Sequence, residues 1–484
     1  MNCQFTQYQY HACRVSNPRV EPSVYTYPLL YEGLSLQSLI SMAMNISTTS
    51  FSLAGKGLKL DEASDLVEHL GPLSVNPEIE HVDLSGNTLG IGACEALSAV
   101  LKTKKELRSA NLADIFTSRL LSEIPTALSH LLDALVTLPH LHTVNLNDNA
   151  FGLSLIAPLS KFISNHVPLQ HLHLNNNGMG PIAGAQLADA LIALHAAKAK
   201  ARKADSKADV PELETIVCGR NRLETGSMQS WANVFQTHKS LQVVRMVQNG
   251  IRMEGIALLL REGLPGCRAL RILDLEDNTF TERGSLALAS SLPSWTALEE
   301  LGVGDCLLSA RGGALLMNAL MKGANTSLRV LRLQHNELTT ANVRMLNMCL
   351  KDGSLPGLAK VELNGNKADP EGEEIVKLME MLHERRERAG VRHGHEDWGL
   401  DELDDMEDED SEVESSDGEE DSDAVDSEDD VQALKRADPA DEHTLRHKVI
   451  LREEHGAPQQ PVAMRKDPDV DRLADDMQKK ATIG

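Results

Sequence analysis

One arginine is a candidate for chemistry, and it stands in the stretch NLADIFTSRLLSEIP, residues 111–125. Neighbouring segments keep the pattern L-x-x-L-x-L-x-x-N, whereas LRSANLADI ends on Ile115 in place of asparagine. The chain then continues to Arg119. A guanidinium on a loop can bind a carboxylate or a phosphate through parallel hydrogen bonds. We therefore expect a lengthened turn after Ile115 that displays Arg119 on the surface.

Two histidine pairs are the other candidate site residues. The common catalytic motifs are absent from the sequence. His140/His142 and His171/His173 are each spaced i, i+2, so we expect each pair on a strand with both side chains on one sheet face. Two imidazoles are too few for a zinc site. No phosphate-binding loop, H-E-x-x-H or G-x-S-x-G motif occurs. We predict no metal, no cofactor and no self-contained enzyme.

The elements that must position these residues come from an internal repeat. Ten segments align: IEHVDLSGN, LRSANLADI, LHTVNLNDN, LQHLHLNNN, LETIVCGRN, LQVVRMVQN, LRILDLEDN, LEELGVGDC, LRVLRLQHN and LAKVELNGN. Their last residues are separated by 28, 34, 28, 44, 28, 29, 28, 30 and 30 positions. A period of this length is typical of a leucine-rich repeat of the long, ribonuclease-inhibitor-like kind.

Each repeat predicts a strand, a polar turn and a helix. The L-x-L core indicates a short strand of a parallel sheet, and the asparagine can satisfy backbone groups of the turn that follows. Leu187, Leu191 and Leu194 have helical spacing after Asn177. We predict an α/β leucine-rich-repeat horseshoe over residues 45–390, with helices outside and leucines in the core.

Two intervals between repeats are long. The 44-residue interval contains the basic stretch HAAKAKARKADSKADVPE, which extends a helix into either a solvated insertion or a docking patch. The 34-residue interval follows Ile115 and includes Arg119. Because loops on a rigid scaffold often carry function, the second interval is the stronger candidate for a site.

Charge is concentrated near the C-terminus. Residues 401–430 hold 19 Asp and Glu and no Lys or Arg, so the rest of the chain accounts for only −5 of the net charge of −24. We expect a disordered acidic segment over 391–431 that either keeps the protein soluble or speeds encounter with a basic protein surface. Nucleic acid is disfavoured as a partner. Residues 432–484 are predicted to be a polar tail with a short helix.

The remaining composition indicates a soluble intracellular protein. Seven scattered cysteines without a C-x-x-C pair favour a reducing compartment, and no apolar run is long enough for a membrane helix. Residues 1–44 precede the repeats. We expect a disordered extension or a gene-model artefact there, with Met42 or Met44 as the working initiator.

Several long motifs resemble one family. LADIFTSRL, CGRNRLETGSM and VQNGIRMEGI, with further matches from about Phe51 to Asp410, resemble the GTPase-activating proteins of the small GTPase Ran. The resemblance is to a short form that lacks the additional folded domain of animal members. It implies binding of Ran-GTP in the cytoplasm, where the protein would also be perinuclear, and faster GTP hydrolysis in support of nuclear transport.

The resemblance also implies site residues and partners. The family's asparagine matching Asn176 helps fix Ran's own glutamine beside the attacking water, and its arginine matching Arg119 lies at the interface. Leu121 stands where some members have lysine. GTP and magnesium belong to Ran, a Ran-binding protein joins a ternary complex, and the activator is a monomer. The implied partner-binding positions are Asp114, Phe116, Thr117, Asn175, Arg220, Arg222, Gln248 and Asn249.

Other protein classes fit the sequence less well. A ribonuclease-inhibitor-like binder would be richer in cysteine than this chain, and an innate-immune receptor would need a nucleotide-binding or membrane segment beside the repeats. A leucine-rich-repeat scaffold or inhibitor without GTPase-activating activity stays open as the alternative function.

Overall fold

The computed structural model describes residues 49–207, 209–392 and 395–406. The predictions for residues 1–44, for 432–484 and for most of the acidic segment fall outside the described residues.

Parallel strands, one from each repeat, build the body of the protein. Over the described ranges, twelve of them form a single sheet in the order β1-β3-β5-β6-β7-β8-β9-β10-β11-β12-β13-β14, and β2 pairs with β4. The ten predicted repeat strands are β3 and β5 to β13, with one further strand at each end of the stack. The strands are β1 Ser50–Ser52, β2 Lys59–Leu60, β3 His81–Asp83, β4 Thr88–Leu89, β5 Ser109–Asn111, β6 Thr143–Asn145, β7 His171–His173, β8 Thr215–Val217, β9 Val243–Arg245, β10 Ile272–Asp274, β11 Glu300–Gly302, β12 Val330–Arg332, β13 Lys360–Glu362 and β14 Gly399–Leu400.

Helices return the chain from one strand to the next. The predicted helix after Asn177 is confirmed, because Leu187, Leu191 and Leu194 lie on it and are fully buried. The helices are α1 Ala63–Leu66, α2 Gly71–Val75, α3 Ile91–Leu101, α4 Ile124–Leu135, α5 Ile156–Asn165, α6 Gly180–Ala204, α7 Met228–Thr237, α8 Met253–Leu258, α9 Thr281–Ser291, α10 Ser309–Leu320, α11 Thr340–Lys351 and α12 Glu373–Arg388. Among the helices in the described part of the chain, none is long and apolar enough to cross a membrane.

The asparagines at the ends of the repeats form a buried ladder. The Asn177 side-chain oxygen accepts the Asn149 amide at 3.0 Å, and the Asn177 amide is in turn accepted by Asn221 Oδ1 at 3.0 Å. Asn177 Nδ2 donates to the Leu146 and Leu174 carbonyls at 3.0 and 2.9 Å. Each ladder side chain thus joins two successive turns, as the sequence predicts.

In two repeats a different residue stands at the ladder position. Ile115 fills its position with a fully buried apolar side chain, while its amide still reaches Asn149 Oδ1 at 3.0 Å. Cys306 directs its thiol to the Gly304 carbonyl at 3.2 Å. The ladder therefore continues through both repeats, but at Ile115 without a polar side chain.

The end of the repeat domain lies beyond the predicted boundary at residue 390. Strand β14 pairs with β13, and the Asp401 carboxylate accepts the Leu363 and Asn364 amides at 2.8 and 3.0 Å. Leu403 and Met406 pack against the core. The start of the predicted disordered segment is therefore wrong, because these residues cover the last repeat and satisfy its strand edge.

The basic insertion is anchored from inside. Helix α6 runs through it, and the fully buried Lys198 donates to the carbonyls of Val167, Leu169 and Pro211 at 2.6, 2.7 and 2.7 Å. Burial lowers the pKa of Lys198 to about 8. Lys198 thus fastens the loop after α6 to the preceding repeat, while Lys200, Lys203 and Lys207 are exposed, as a solvated insertion predicts.

Acid should weaken the fold through two buried histidines. Burial lowers the pKa of His166 and of His238 to about 4, below about 6.5 for an unfolded histidine. Between these values the unfolded chain binds more protons, so the free energy of unfolding falls as pH drops from about 6.5 to about 4, by up to roughly 3 kcal/mol per histidine. Urea titrations at pH 7, 6 and 5 measure this loss. His166→Gln keeps a donor for the Leu141 carbonyl and should flatten the dependence; an unchanged slope would contradict it.

Asn249 should matter for stability. Its side chain is fully buried, accepts the Asn221 amide at 2.9 Å and donates to the Cys218 and Met246 carbonyls at 2.9 and 3.0 Å. Asn249→Ala should lower the free energy of unfolding by about 2 to 4 kcal/mol, since it leaves buried backbone groups without partners. The exposed neighbour Gln248→Ala should change it by less than about 0.5 kcal/mol in the same urea titration. Equal effects of the two changes would sink this assignment.

Candidate functional site

The residues just before the ladder positions form one edge of the sheet, which we call the rim. Every one of them has a left-handed backbone, with φ between 49° and 69°. Parallel strands in register bring these positions side by side at the carboxyl ends of the strands. The rim consists of Gly86, Asp114, Asp148, Asn176, Arg220, Gln248, Asp277, Asp305, His335 and Gly365. Functional residues are often polar side chains that a rigid scaffold holds at a loop, so the part of this row around Asn176, Arg220 and Gln248 is the candidate binding surface.

Three consecutive asparagines at the end of β7 do three different things. The Asn175 side-chain oxygen accepts the Gly219 amide at 2.5 Å, and the Asn175 amide donates to Asn147 Oδ1 at 2.7 Å. Asn177 belongs to the buried ladder. Asn176 alone is exposed, as a rim residue. Asn175 is therefore half-buried and tied to its neighbours, whereas Asn176 is available to a partner.

Asn176 is held by its neighbour on the rim. Its side-chain Nδ2 donates to Asp148 Oδ1 at 2.9 Å, across the gap between adjacent strands β7 and β6. A carboxylate can only accept, so the amide nitrogen must face Asp148 and the amide oxygen must face away. Within the described part of the chain, that oxygen has no hydrogen-bond partner, so it can accept from an incoming donor.

Arg220 and Gln248 continue the rim beyond Asn176. Both are exposed. Arg222 is exposed too, and the ladder residue Asn221 separates it from Arg220. Burial, followed by the nearby Asp305, raises the pKa of the Asp277 carboxyl, while the Gln248 side chain and the charge of Arg220 oppose that rise. The side-chain amides of Asn176 and Gln248 thus flank the exposed guanidinium of Arg220, and Asp148 holds the first of them.

The structure corrects the expected display of Arg119. Only 8% of its side chain is exposed. The guanidinium forms an ion pair with Asp61 and donates to Thr88 Oγ1 and to the Thr88 carbonyl, both at 2.9 Å. This hydrogen bond with Arg119 lowers the pKa of Asp61. The turn does lengthen after Ile115, but it turns the arginine inward, where a cluster of oxygen acceptors compensates its charge.

The other residues of this turn divide between core and surface. Phe116 is buried in the core, so its assignment to partner binding is wrong, as it is for the fully buried Asn249. Thr117 is exposed and its hydroxyl donates to the Asp114 carboxylate. The surface of the turn is instead formed by Leu120 and Leu121, which are 65% and 71% exposed. The exposure of these leucines was not predicted, although an apolar pair just after a broken repeat is a visible signal in the sequence.

The two histidine pairs differ in their placement. His171 and His173 lie on β7, but His140 and His142 precede β6, so the expectation of strand positions is wrong for His140 and His142. His171 Nδ1 is 2.9 Å from Thr215 Oγ1. Across the described ranges, no group of three His, Cys, Asp or Glu side chains is placed to hold a metal ion.

Sequence comparison connects this geometry with known proteins. A leucine-rich-repeat family model matches residues 324–341. Ran GTPase-activating protein 1 of Saccharomyces cerevisiae is 41% identical over 336 residues, which cover 68% of this chain and 81% of the yeast protein. The chain belongs to the Ran GTPase-activating protein family. Ran GTPase-activating protein 1 of Xenopus laevis and Ran GTPase-activating protein 2 of Caenorhabditis elegans are 36% and 37% identical, over 35% and 22% of their own lengths.

Arg119 should stabilise the first repeats of this family member. Arg119→Ala removes the donors to Asp61 and Thr88, so the backbone amides of Leu89 and Gly90, which bond to Ile115 and Leu60, should exchange with deuterium faster. Arg119→Lys should restore this only in part, because one ammonium cannot reproduce the fork of a guanidinium. The exposed Arg222→Ala is the matched control. Unchanged exchange in Arg119→Ala would show that the contacts are dispensable.

Proposed function

We propose that this protein stimulates hydrolysis of GTP bound to Ran in the cytoplasm and so supports directional nucleocytoplasmic transport. Membership in the Ran GTPase-activating protein family supports the target. The activator contributes residues to a reaction whose nucleotide and magnesium are held by Ran, and it needs no cofactor of its own. The protein is therefore proposed to be a GTPase activator, which accelerates Ran's own hydrolysis of GTP.

Asn176 carries the mechanistic part of the proposal. It is exposed on the rim, and its nitrogen is occupied by Asp148 while its oxygen faces outward. A side-chain amide of Ran's catalytic glutamine has the N–H donors that such an oxygen accepts. Asn176 would thereby fix the glutamine beside the attacking water.

The chemistry of GTP hydrolysis makes a neutral amide sufficient for this role. Phosphoryl transfer passes through a loose transition state, so catalysis depends mainly on positioning the water and on stabilising charge. Ran with its magnesium supplies the charge stabilisation. An activator that restricts the glutamine to one orientation raises the rate without entering the reaction.

The contacts of Arg119 argue against an arginine finger. A finger must reach the transferring phosphate, where it contributes about 10³ to 10⁵ in rate. Here the guanidinium is buried against Asp61 and Thr88, and reaching a phosphate would break those contacts. Arg119 instead supports the turn that carries Thr117 and the two exposed leucines, which border the proposed docking surface.

Five polar residues on or next to the rim are proposed to bind Ran. Asp114, Thr117, Arg220, Arg222 and Gln248 have exposed or partly exposed polar groups on the same edge. Asn175 acts indirectly by fixing the backbone beside Asn176. A Ran-binding protein would join in a ternary complex, and the activator would act as a monomer that binds neither nucleic acid nor membrane.

The acidic residues after Met406 would speed the encounter with Ran by charge attraction, an effect that salt screens.

A leucine-rich-repeat scaffold or inhibitor is the alternative function. Such a protein would bind a partner through the same rim without changing the rate of hydrolysis. Binding alone therefore cannot separate the two functions, whereas the rate at saturation does.

Single-turnover GTP hydrolysis by Ran, measured over a range of activator concentrations, tests the proposal. Asn176→Ala should lower the saturating rate by about 10²-fold or more, because Ran's glutamine is no longer held beside the attacking water. Arg119→Ala should raise the half-saturating concentration and keep substantial activity at high concentration, because it loosens the docking surface. Asp305→Ala, on the same rim two positions beyond Gln248, is the control.

Two results would contradict the proposal. Wild-type protein that binds Ran-GTP but leaves hydrolysis unchanged would establish the scaffold function. An Arg119→Ala variant that binds normally but has lost the saturating rate would establish an arginine finger.

A further inference from the structure

The Asp148 carboxylate and the Asn176 amide form a pair that links two repeats. They stand at equivalent rim positions at the ends of β6 and β7, and both have left-handed backbones, with φ of 61° and 54°. The hydrogen bond from Asn176 Nδ2 to Asp148 Oδ1 is 2.9 Å long. Both side chains are exposed, so packing does not explain why they are held together.

The backbone fixes the positions of both residues. The Asp148 amide donates to the Asn175 carbonyl and the Asn176 amide to the Gly219 carbonyl, each at 2.9 Å. Asn149 and Asn177, the next residues in the chain, lie in the buried ladder. The two Cα atoms therefore have little freedom, and what stays free is rotation about the side-chain bonds.

That rotation matters for an asparagine that must present one end of its amide. The terminal torsion of asparagine is broad and roughly two-fold, so a solvated amide can present either its oxygen or its nitrogen. An acceptor-only neighbour removes this ambiguity, because only the nitrogen can bond to a carboxylate.

We propose that Asp148 is a positioning residue that holds the Asn176 amide with its oxygen toward Ran. The inference rests on the proposed function and adds to it a residue that does not itself touch the reacting groups. Asp148 acts before Ran arrives, so the amide does not have to be ordered during the encounter.

The other aspartates of the rim do not share this role. Asp114 accepts from the Thr117 hydroxyl, and Asp277 stands on the rim beside Gln248, away from Asn176. Over the described residues, Asp148 is the sole hydrogen-bond partner of the Asn176 side chain. Asp305 has the same charge and the same backbone conformation as Asp148 without contacting Asn176, and so offers a matched control.

The test compares two substitutions at Asp148 in single-turnover hydrolysis by Ran-GTP. Asp148→Ala should lower the saturating rate by about 10-fold with a half-saturating concentration within about 2-fold of wild type, because orientation is lost and docking is kept. Asp148→Asn retains an acceptor oxygen but adds a donor nitrogen, so either end of the Asn176 amide can bond to it, and it should recover only part of the rate. Asp305→Ala should keep the wild-type rate, and thermal unfolding of each variant checks the fold.

A double substitution shows whether Asp148 acts through Asn176. In the Asn176→Ala background, Asp148→Ala should have no further effect, because the amide that it orients is gone. An equal loss in both backgrounds overturns the proposal. So does an Asp148→Asn rate equal to that of wild type, since the acceptor-only character of the carboxylate would then not be the feature that matters.

Failure of the inference is distinguishable from failure of the proposed function. If wild-type protein does not accelerate hydrolysis, or if Asn176→Ala is as fast as wild type, the proposed function is wrong. If Asn176→Ala is slow while Asp148→Ala remains fast with normal half-saturation, the function stands and the inference alone is overturned.

Discussion

The buried hydrogen bonds of the ladder asparagines are the constraint on which the rest of the structure depends. Each strand is only two or three residues long, so the sheet alone supplies few backbone hydrogen bonds per repeat. After each strand the chain turns sharply inside the stack, where water cannot satisfy its amides and carbonyls. A side-chain amide that accepts from one turn and donates to two carbonyls meets this need, and it fixes the distance between successive repeats.

The polar rim is a consequence of the ladder. To bring the asparagine side chain inward, the preceding residue adopts a left-handed conformation and points its own side chain to solvent. The fold therefore produces an ordered row of positions, most of them exposed, whose backbones are held by the ladder and whose residue types differ from repeat to repeat. Asn176, Arg220 and Gln248 occupy this row, so groups that would act on a partner are placed by interactions buried one residue away.

The repeat that ends at Ile115 differs from most of the others because its ladder position holds an apolar residue. An apolar residue there cannot tie the turns together by a side-chain hydrogen bond, and the turn after it is longer than in most repeats. Arg119 compensates by reaching back across the first repeats to Asp61 and Thr88. Arg119 thus holds the end of the turn, and the two residues that follow it, Leu120 and Leu121, are exposed.

The sequence by itself determined the repeat, its ten strands and the ladder, because period and residue type follow directly from what each turn requires. The sequence singled out Asn176 only through its resemblance to a family. It could not determine which way a side chain faces when alternatives lie one residue apart: Asn175, Asn176 and Asn177 share a residue type but differ in burial. Arg119 and Phe116 were assigned to the surface, and both face inward, because their partners Asp61, Thr88 and the core lie in other repeats. The link between Asp148 and Asn176 likewise joins residues 28 positions apart. Only the stacking of strands brings such residues together, since the register of the sheet decides which side chains meet.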